Sequence, residues 1–384
     1  MANQNLGDAK RAKNDEFYTQ FHDIEKEINA YLEYDLDAFR GKTVLLPCDD
    51  PEWSNFTKYF AQNFERLGLK KLISTSYAPN SKPKELDLQP TLFEIESPQF
   101  DESKTASNGK IFSLTHDTTG DSLINVDDLE WRYLDGDGDF RGAEVTALRD
   151  EADIIVTNPP FSLFREFLGW ITDADKKFVI IGNMNAITYK EVFPLIQSDR
   201  MWLGATANGS DLVFRVPEGA EIATSDREKA ARLGYVGDYT RLGNACWFTN
   251  IDHGKRHQPL PLMTQADNIK FSKHKEIKGR GYRQYDNYEA IEVSFTDAIP
   301  SDFTGVMGVP ISFLHKYSPE QFEIVSLSRY QGTGMKKEFV DAYFASGQTG
   351  QISEGHPDLS YYDRDGRPVV PYRRILIRHR KAAK

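Results

Sequence analysis

An apolar run, Asp153-Ile-Ile-Val-Thr157, stops abruptly at Asn158-Pro159-Pro160-Phe161. These four residues bring together what is needed to hold an amine carried on a flat ring. The Asn158 side-chain oxygen and the Pro159 carbonyl can accept hydrogen bonds from an exocyclic amine, and Phe161 offers a face on which a planar ring can stack. The prolines stiffen the loop, and a buried strand delivers it to the carboxyl end of a sheet, where open α/β folds bind ligands. Asn is no base at neutral pH, so the chemistry suggested is positioning and electrostatic stabilisation of a reacting amine. The competing reading is an ordinary strand-to-helix turn in which Ser162 caps the next helix. Other stretches of the chain must decide between the two.

Positioning such a loop takes a sheet, and the hydrophobic pattern supplies one. Periodicity predicts a helix over Ile24 to Leu36, a strand over Thr43 to Cys48, a helix over Asn55 to Leu67 and a strand over Leu72 to Ser76, a βαβ opening. From Ala78 to about Trp131 the chain is rich in Ser, Pro, Asp, Lys and Thr with weak periodicity, which reads as an insertion rather than another core layer. The core pattern resumes with a strand over Asp153 to Thr157, a helix over Leu163 to Ile171 and a strand over Lys177 to Ile181. A helix over Tyr189 to Ile196 and strands near Met201 to Leu203, Leu212 to Val216 and Ala245 to Thr249 follow. Strands alternating with helices give an α/β fold, Rossmann-like, with a mainly parallel sheet. The remainder mixes a tyrosine-rich stretch, Tyr282 to Tyr288, with turns near Gly305 to Pro310. Its end, Pro371 to Ile377, reads as a strand returning to the main body. The division expected is a first domain over residues 1–260, with the polar insertion at 78–131, and a second over 261–384.

Bulk properties bound the classes. The 384 residues, 39% hydrophobic and 12% aromatic, suffice for one large core or two modest ones. No apolar run reaches the length of a membrane span and the polar start lacks a signal-peptide centre, so a cytoplasmic protein with no membrane partner is expected. Cys48 and Cys246 have no metal-ligand spacing and are too few for a disulfide framework, in keeping with a reducing compartment. The net charge of −11 is uneven: residues 1–257 hold 29 Lys and Arg against 43 Asp and Glu, residues 258–384 hold 18 against 15. An acidic first part is thus followed by a more basic one. Basic clusters at Lys273 to Arg283, which includes Lys275, Lys278 and Arg280, and at Arg373 to Lys381 suit phosphate contacts. Solvated surface charge is the alternative for each.

Three further stretches fall in a telling order around Asn158. Asp15-Glu-Phe-Tyr-Thr-Gln20 precedes the sheet, Pro47-Cys-Asp-Asp-Pro51 ends its first strand, and Gly136-Asp-Gly-Asp-Phe140 comes shortly before the Asn158 strand. Asp-Gly-Asp invites a calcium reading, but the other EF-hand ligands are missing, and no metal is expected. With Ile180 to Ala186, Gly243 to Thr249, Tyr285 to Ala290 and Val306 to Ile311, these stretches resemble the EcoRI-type adenine-specific DNA methyltransferase family. The order of motifs is similar to the gamma class of amino-methyltransferases. The resemblance implies the S-adenosylmethionine-dependent methyltransferase fold, a C-terminal DNA-recognition region, and methyl transfer from S-adenosylmethionine to N6 of an adenine flipped out of duplex DNA. It implies a catalytic loop of Asn158, Pro159, Pro160 and Phe161. Phe17, Tyr18 and Thr19 would contact the methionine part of the cofactor, with Pro47 and Cys48 in the loop over it. Asp49 or Asp50 could pair with its cationic end, Asp139 could accept from its adenine amine, and Phe140 could cover that ring. Asn158 would lie beside the cofactor, while Lys273, Lys275, Lys278, Arg280 and Arg283 would meet DNA.

Departures and rivals accompany that expectation. Ser76-Tyr77 stands where a ribose-binding carboxylate is usual, which leaves the ribose contact unassigned. A protein-glutamine or RNA methyltransferase can use the same loop, and a DNA-binding protein could keep the fold without the chemistry. A fused nuclease finds no matching Pro-Asp and Glu-x-Lys pattern. A monomer is expected, with a cognate restriction endonuclease as a partner that shares the site without a stable complex. GAATTC is a candidate site only, by family likeness.

Overall fold

The structure, a computed structural model, describes residues 18–47, 49–51, 53–78, 98–206, 212–216, 222–329 and 331–380. The chain divides into two compact units, one of residues 1–186 and 201–254 and one of 187–200 and 255–384. The division falls after Gly254, and the short segment Ile187–Arg200 groups with the second unit.

The first unit is built on an eight-stranded sheet of β2 (Thr43–Leu46), β3 (Lys71–Ser76), β4 (Lys110–Leu114), β5 (Glu130–Tyr133), β6 (Ile154–Thr157), β7 (Lys177–Asn183), β8 (Trp202–Leu203) and β11 (Ala245–Thr249). The order across it is β5-β4-β3-β2-β6-β7-β11-β8. Its four central strands, β3, β2, β6 and β7, are parallel, and antiparallel pairs extend both sides. The centre is apolar at consecutive positions: every residue of β2 and β6 is buried, as expected of parallel strands covered on both faces. Helices α1 (Phe21–Tyr34), α2 (Asn55–Gln62), α3 (Ala143–Glu151) and α4 (Phe164–Thr172) accompany it. Residues Ile24, Ile28 and Tyr31 of α1 and Phe56, Tyr59 and Phe60 of α2 join Val44, Leu46, Val156 and Ile181 of the sheet in one buried cluster. A separate three-stranded sheet, β1 (Tyr18–Thr19), β9 (Val213–Arg215) and β10 (Tyr239–Arg241), is antiparallel throughout.

Two expectations change here. The polar segment 78–131 is no mere insertion, because β4 and β5 add two core-sheet strands beside β3. They were hidden because antiparallel outer strands are buried at only some positions, as in the exposed Glu130 and Arg132 of β5 beside buried Trp131. The helix expected over 189–196 is instead Phe193–Gln197, preceded by a 3-10 segment at Met184–Thr188; Pro194 in the first turn fixes where it starts.

The second unit holds a five-stranded sheet of β12 (Arg283–Gln284), β13 (Ala290–Glu292), β14 (Val306–Pro310), β15 (Phe322–Leu327) and β18 (Arg374–His379), ordered β12-β13-β14-β18-β15. A hairpin of β16 (Tyr361–Tyr362) and β17 (Pro368–Val369) stands apart from it. The terminal strand therefore does not return to the main body: β18 lies between β14 and β15, all three in this unit. The apolar run Ile375-Leu376-Ile377 announces a strand, while its partner is a tertiary matter. Among the described residues no helix is long and apolar enough to cross a membrane. Among them, too, no cluster of three or more His, Cys, Asp or Glu residues is arranged to hold a metal ion.

Candidate active site

Three neighbouring strands, β3, β2 and β6, end at the same edge of the parallel sheet, and the motif residues cluster there. β2 lies between them, with β3 on one side and β6 on the other, so the chain's crossovers diverge at β2 and β6. That reversal is the crevice in which open α/β sheets hold ligands.

The loops on either side of the crevice are joined by one carboxylate. Thr157, the last residue of β6, donates its hydroxyl to Asp49 Oδ2 at 2.6 Å and to the Pro47 carbonyl at 3.0 Å. Ser54 Oγ donates to Asp49 Oδ1 at 2.7 Å, while the same oxygen accepts from Phe56 N at 3.0 Å and so caps α2. The Asp49 carbonyl accepts from the hydroxyls of Thr57, at 2.7 Å, and Ser74. Burial pushes the Asp49 carboxyl up to about 7, against the opposing pull of the Thr157 and Ser54 hydroxyls. Asp49 is thus turned into the protein, whereas its neighbour Asp50 is half-buried at the rim.

Asn158 follows Thr157 directly and is half-buried, Pro159 is buried, and Pro160 and Phe161 are half-buried. Phe161 packs against the main cluster and begins a 3-10 turn, Phe161–Leu163, that leads into α4. Neither that turn nor α4 carries a side-chain cap, so Ser162 does not play the role the turn-only reading gave it. The position of α4 depends on Gly182 in β7: a Cβ there would lie 2.3 Å from the ring of Phe164, the first residue of the helix. The strand end beyond Gly182 is tied by Met184 N donating to the Asn244 carbonyl at 2.6 Å.

The amino-terminal motif reaches the same edge. Asn55 Nδ2, at the start of α2, donates to the Thr19 carbonyl at 2.8 Å, so β1 is held against the turn that follows β2. Thr19 is buried, and its hydroxyl oxygen has no hydrogen-bond partner among the described residues. Phe17 and Cys48 lie outside the described residues.

The Gly136 to Phe140 loop sits on the end of β3. Ala78 N donates to the Asp137 carbonyl at 2.8 Å and Gly109 N to the Gly136 carbonyl at 2.9 Å. Gly138, at φ +87°, passes so close to β3 that a Cβ would lie 2.3 Å from the Ser76 carbonyl. Two of its side chains depart from expectation. Phe140 is fully buried, edge-on to Phe167 at 5.0 Å and to Trp170 at 5.6 Å, so no face is open to a ligand ring in this arrangement. Asp139 receives Arg141 on both oxygens, Nε at 2.9 Å and Nη2 at 2.6 Å, which holds its carboxyl below the usual range. Arg141 Nη1 also reaches Glu166 of α4 at 3.1 Å. Sequence reasoning missed Arg141, Ser54 and Thr157, because their meaning lies in partners far along the chain.

Of the basic residues expected to meet DNA, Lys273 is paired with Asp297 at 2.8 Å, whereas Lys275, Lys278, Arg280 and Arg283 form no ion pair among the described residues. In the terminal basic cluster Arg374 is held by buried Glu292 at 2.7 Å and Arg378 by Glu323 at 2.8 Å, so those cations serve the second unit's own sheet.

The family profile described as "Adenine-specific methyltransferase EcoRI" matches residues 5–380 of the chain. The chain is 43% identical to Type II methyltransferase M.EcoRI of Escherichia coli, over 85% of its own length and 90% of the relative's. It is 33% identical to Type II methyltransferase M.MpnI of Mycoplasma pneumoniae, over 83% of each chain. Type II methyltransferase M.MgeORF184P of Mycoplasma genitalium is 31% identical, over 83% of this chain and 84% of its own. No solved structure gives a significant match.

Proposed function

Because the chain belongs to the EcoRI adenine-specific methyltransferase family, and is a DNA adenine methyltransferase, we propose that the crevice between β2 and β6 joins S-adenosylmethionine to N6 of a flipped adenine. The observation that carries this reading is the Asp49 bridge. One buried carboxylate fixes the loop after β2, on the cofactor side, to the residue before Asn158, on the acceptor side.

The residues present suit the cofactor. The buried Thr19 hydroxyl lacks a partner among the described residues, and a bound ligand's polar atom would satisfy it. Asp50, at the rim, complements a cationic methionine end; Asp49 acts as a positioning residue. When bound, S-adenosylmethionine supplies an electrophilic methyl group on a sulfonium. Asn158 and the Pro159 carbonyl would accept the hydrogens of the adenine amine and so favour the more tetrahedral, nucleophilic geometry of its nitrogen. Phe161 stacks on the flipped base, and the excess proton leaves after methyl transfer to backbone or solvent. Asp139 and Phe140 brace α4 behind the loop, through Arg141 and Phe167, rather than touching the cofactor's adenine. Residues 261–384 supply DNA contacts, beginning with the Lys273 to Arg283 stretch, and the enzyme works in the cytoplasm where its DNA is.

Expression in a methylation-free host, followed by single-molecule sequencing of its genome, tests the proposal. N6-modified adenines at one recurring sequence are expected. An unmodified genome in cells holding folded protein that binds duplex DNA would replace this reading with that of an inactive DNA-binding protein.

A further inference from the structure

Three arginines of the second unit come close together: Arg280 and Arg283 stand three residues apart, and Arg364 joins them from a distant stretch of sequence. Arg280 ends the exposed turn Lys275 to Arg280, whose one acidic side chain is Glu276. The turn is anchored by buried Ile277, with Gly281 N on the Ile277 carbonyl at 2.9 Å and Gly279 N on the Ile269 carbonyl at 2.7 Å. Arg283 begins β12. Arg364 arrives on the tip of the β16–β17 hairpin, where Asp363 Oδ1 accepts from the amides of Asp365 and Arg367 at 2.9 and 2.8 Å and so shapes the turn. The hairpin is fixed to the β12–β13 turn by Asp286 N on the Ser360 carbonyl at 2.8 Å and by the edge-on rings of Tyr285 and Tyr361, 6.0 Å apart. Arg364 Nη2 then donates to the Gly281 carbonyl at 3.4 Å, between the other two arginines in sequence.

Like charges so placed repel. Loss of solvent and the positive charges of Arg283 and Arg280 push the Arg364 guanidinium down. Among the described residues none of the three forms an ion pair, although acidic residues outnumber basic ones 58 to 47 in the chain. Of the nearby lysines, Lys273 is paired with Asp297 at 2.8 Å, whereas Lys275 and Lys278 form no ion pair among the described residues and add to the positive charge of this turn. Three forked, permanently charged donors held together without a carboxylate partner leave a place for an external anion with several oxygens.

We infer that Arg364, on the hairpin tip, joins Arg280 and Arg283 in a clamp on the sugar-phosphate backbone of duplex DNA. This rests on the chain being a DNA methyltransferase. Guanidinium forks on phosphate oxygens fix the register of the duplex without reading its sequence. The salt dependence of binding is the readout specific to such a contact, because each neutralised phosphate releases counterion.

The test measures duplex binding by fluorescence anisotropy across a salt series for the wild type, Arg364→Ala, Arg364→Lys and Arg40→Ala. Arg40, exposed and paired with Asp37 at 2.5 Å in the first unit, controls for the loss of one positive charge. For Arg364→Ala the slope of log K against log salt should shrink by about 1, with roughly eightfold weaker binding at 0.1 M monovalent salt. The loss should be equal on target and unrelated duplexes and fall on KM for DNA rather than on kcat. Arg364→Lys should restore the slope, and Arg40→Ala should leave it as in the wild type. An Arg364→Ala slope equal to that of the wild type would overturn the clamp. So would a loss confined to the target duplex, which would mean base readout. Wild-type protein that neither binds nor methylates duplex DNA would instead overturn the reading beneath it.

Discussion

Asn158 and Asp49 show how differently two polar residues at one crevice are used. Asn158 stands on a proline-stiffened loop at the end of a fully buried strand, so its amide is an oriented dipole. Asn158→Ala should lower single-turnover methyl transfer by about 10²- to 10³-fold, the usual scale for one oriented group, while duplex binding by anisotropy stays within a few-fold. Full activity would remove Asn158 from the chemistry. Asp49 faces inward, and its pH behaviour follows. Its folded pKa of about 7 lies above the ordinary 3.8, so the fold favours the protonated form. The stability this group contributes is complete below about pH 4 and lost as pH rises through about 7, an effect of at most about 4 kcal/mol. Urea unfolding between pH 4 and 8 should show that loss in the wild type and a flatter profile in Asp49→Asn; identical profiles would refute it. The loop Asn158 to Phe161 was legible in sequence because its stiffness and its polar groups are local. The engagement of Asp49 with Thr157 and Ser54 was not, because two aspartates in a turn look alike until the fold chooses which one to bury.

At the scale of elements, the catalytic loop is placed by a helix set into a strand. Phe164 rests where β7 has Gly182, and the loop ends three residues before it. Gly182→Ala should cost about 1–3 kcal/mol by overpacking, read from denaturant unfolding. It should also lower kcat more than Ala substitutions on the exposed face of α4, since the displaced ring carries the loop with it. A variant as stable and active as the wild type would show that α4 adjusts freely. The central strands were readable because burial on both faces leaves runs such as Ile154–Val156 without polar interruption. β4 and β5 were not, because only three of their nine positions are buried and the segment's composition is that of a loop. The same limit explains β18, whose strand character is plain at Ile375–Ile377 while its neighbours β14 and β15 are set by folding of the second unit.

At the scale of the molecule, the second unit carries a buried imidazole that makes it sensitive to mild acid. His315, buried in the 3-10 segment Ile311–Lys316, makes no hydrogen bond among the described residues through either ring nitrogen. Burial, reinforced by the charge of Lys255, pushes it down to about 4 from 6.5. A depressed pKa gives stability that is full above about pH 6.5 and lost as pH falls toward and through 4, at most about 3 kcal/mol. His315→Leu should retain more of its stability over that window in calorimetry, and an unchanged acid profile would count against a neutral buried imidazole. The eight-stranded sheet of the first unit has a further consequence at its margins. Among the described residues its outer strands are β8, two residues long, and β5, which turns Glu130 and Arg132 to solvent. Short and charged margins make poor templates for another chain's strand, so concentrated preparations of the enzyme should resist the edge-to-edge association that leads to fibres.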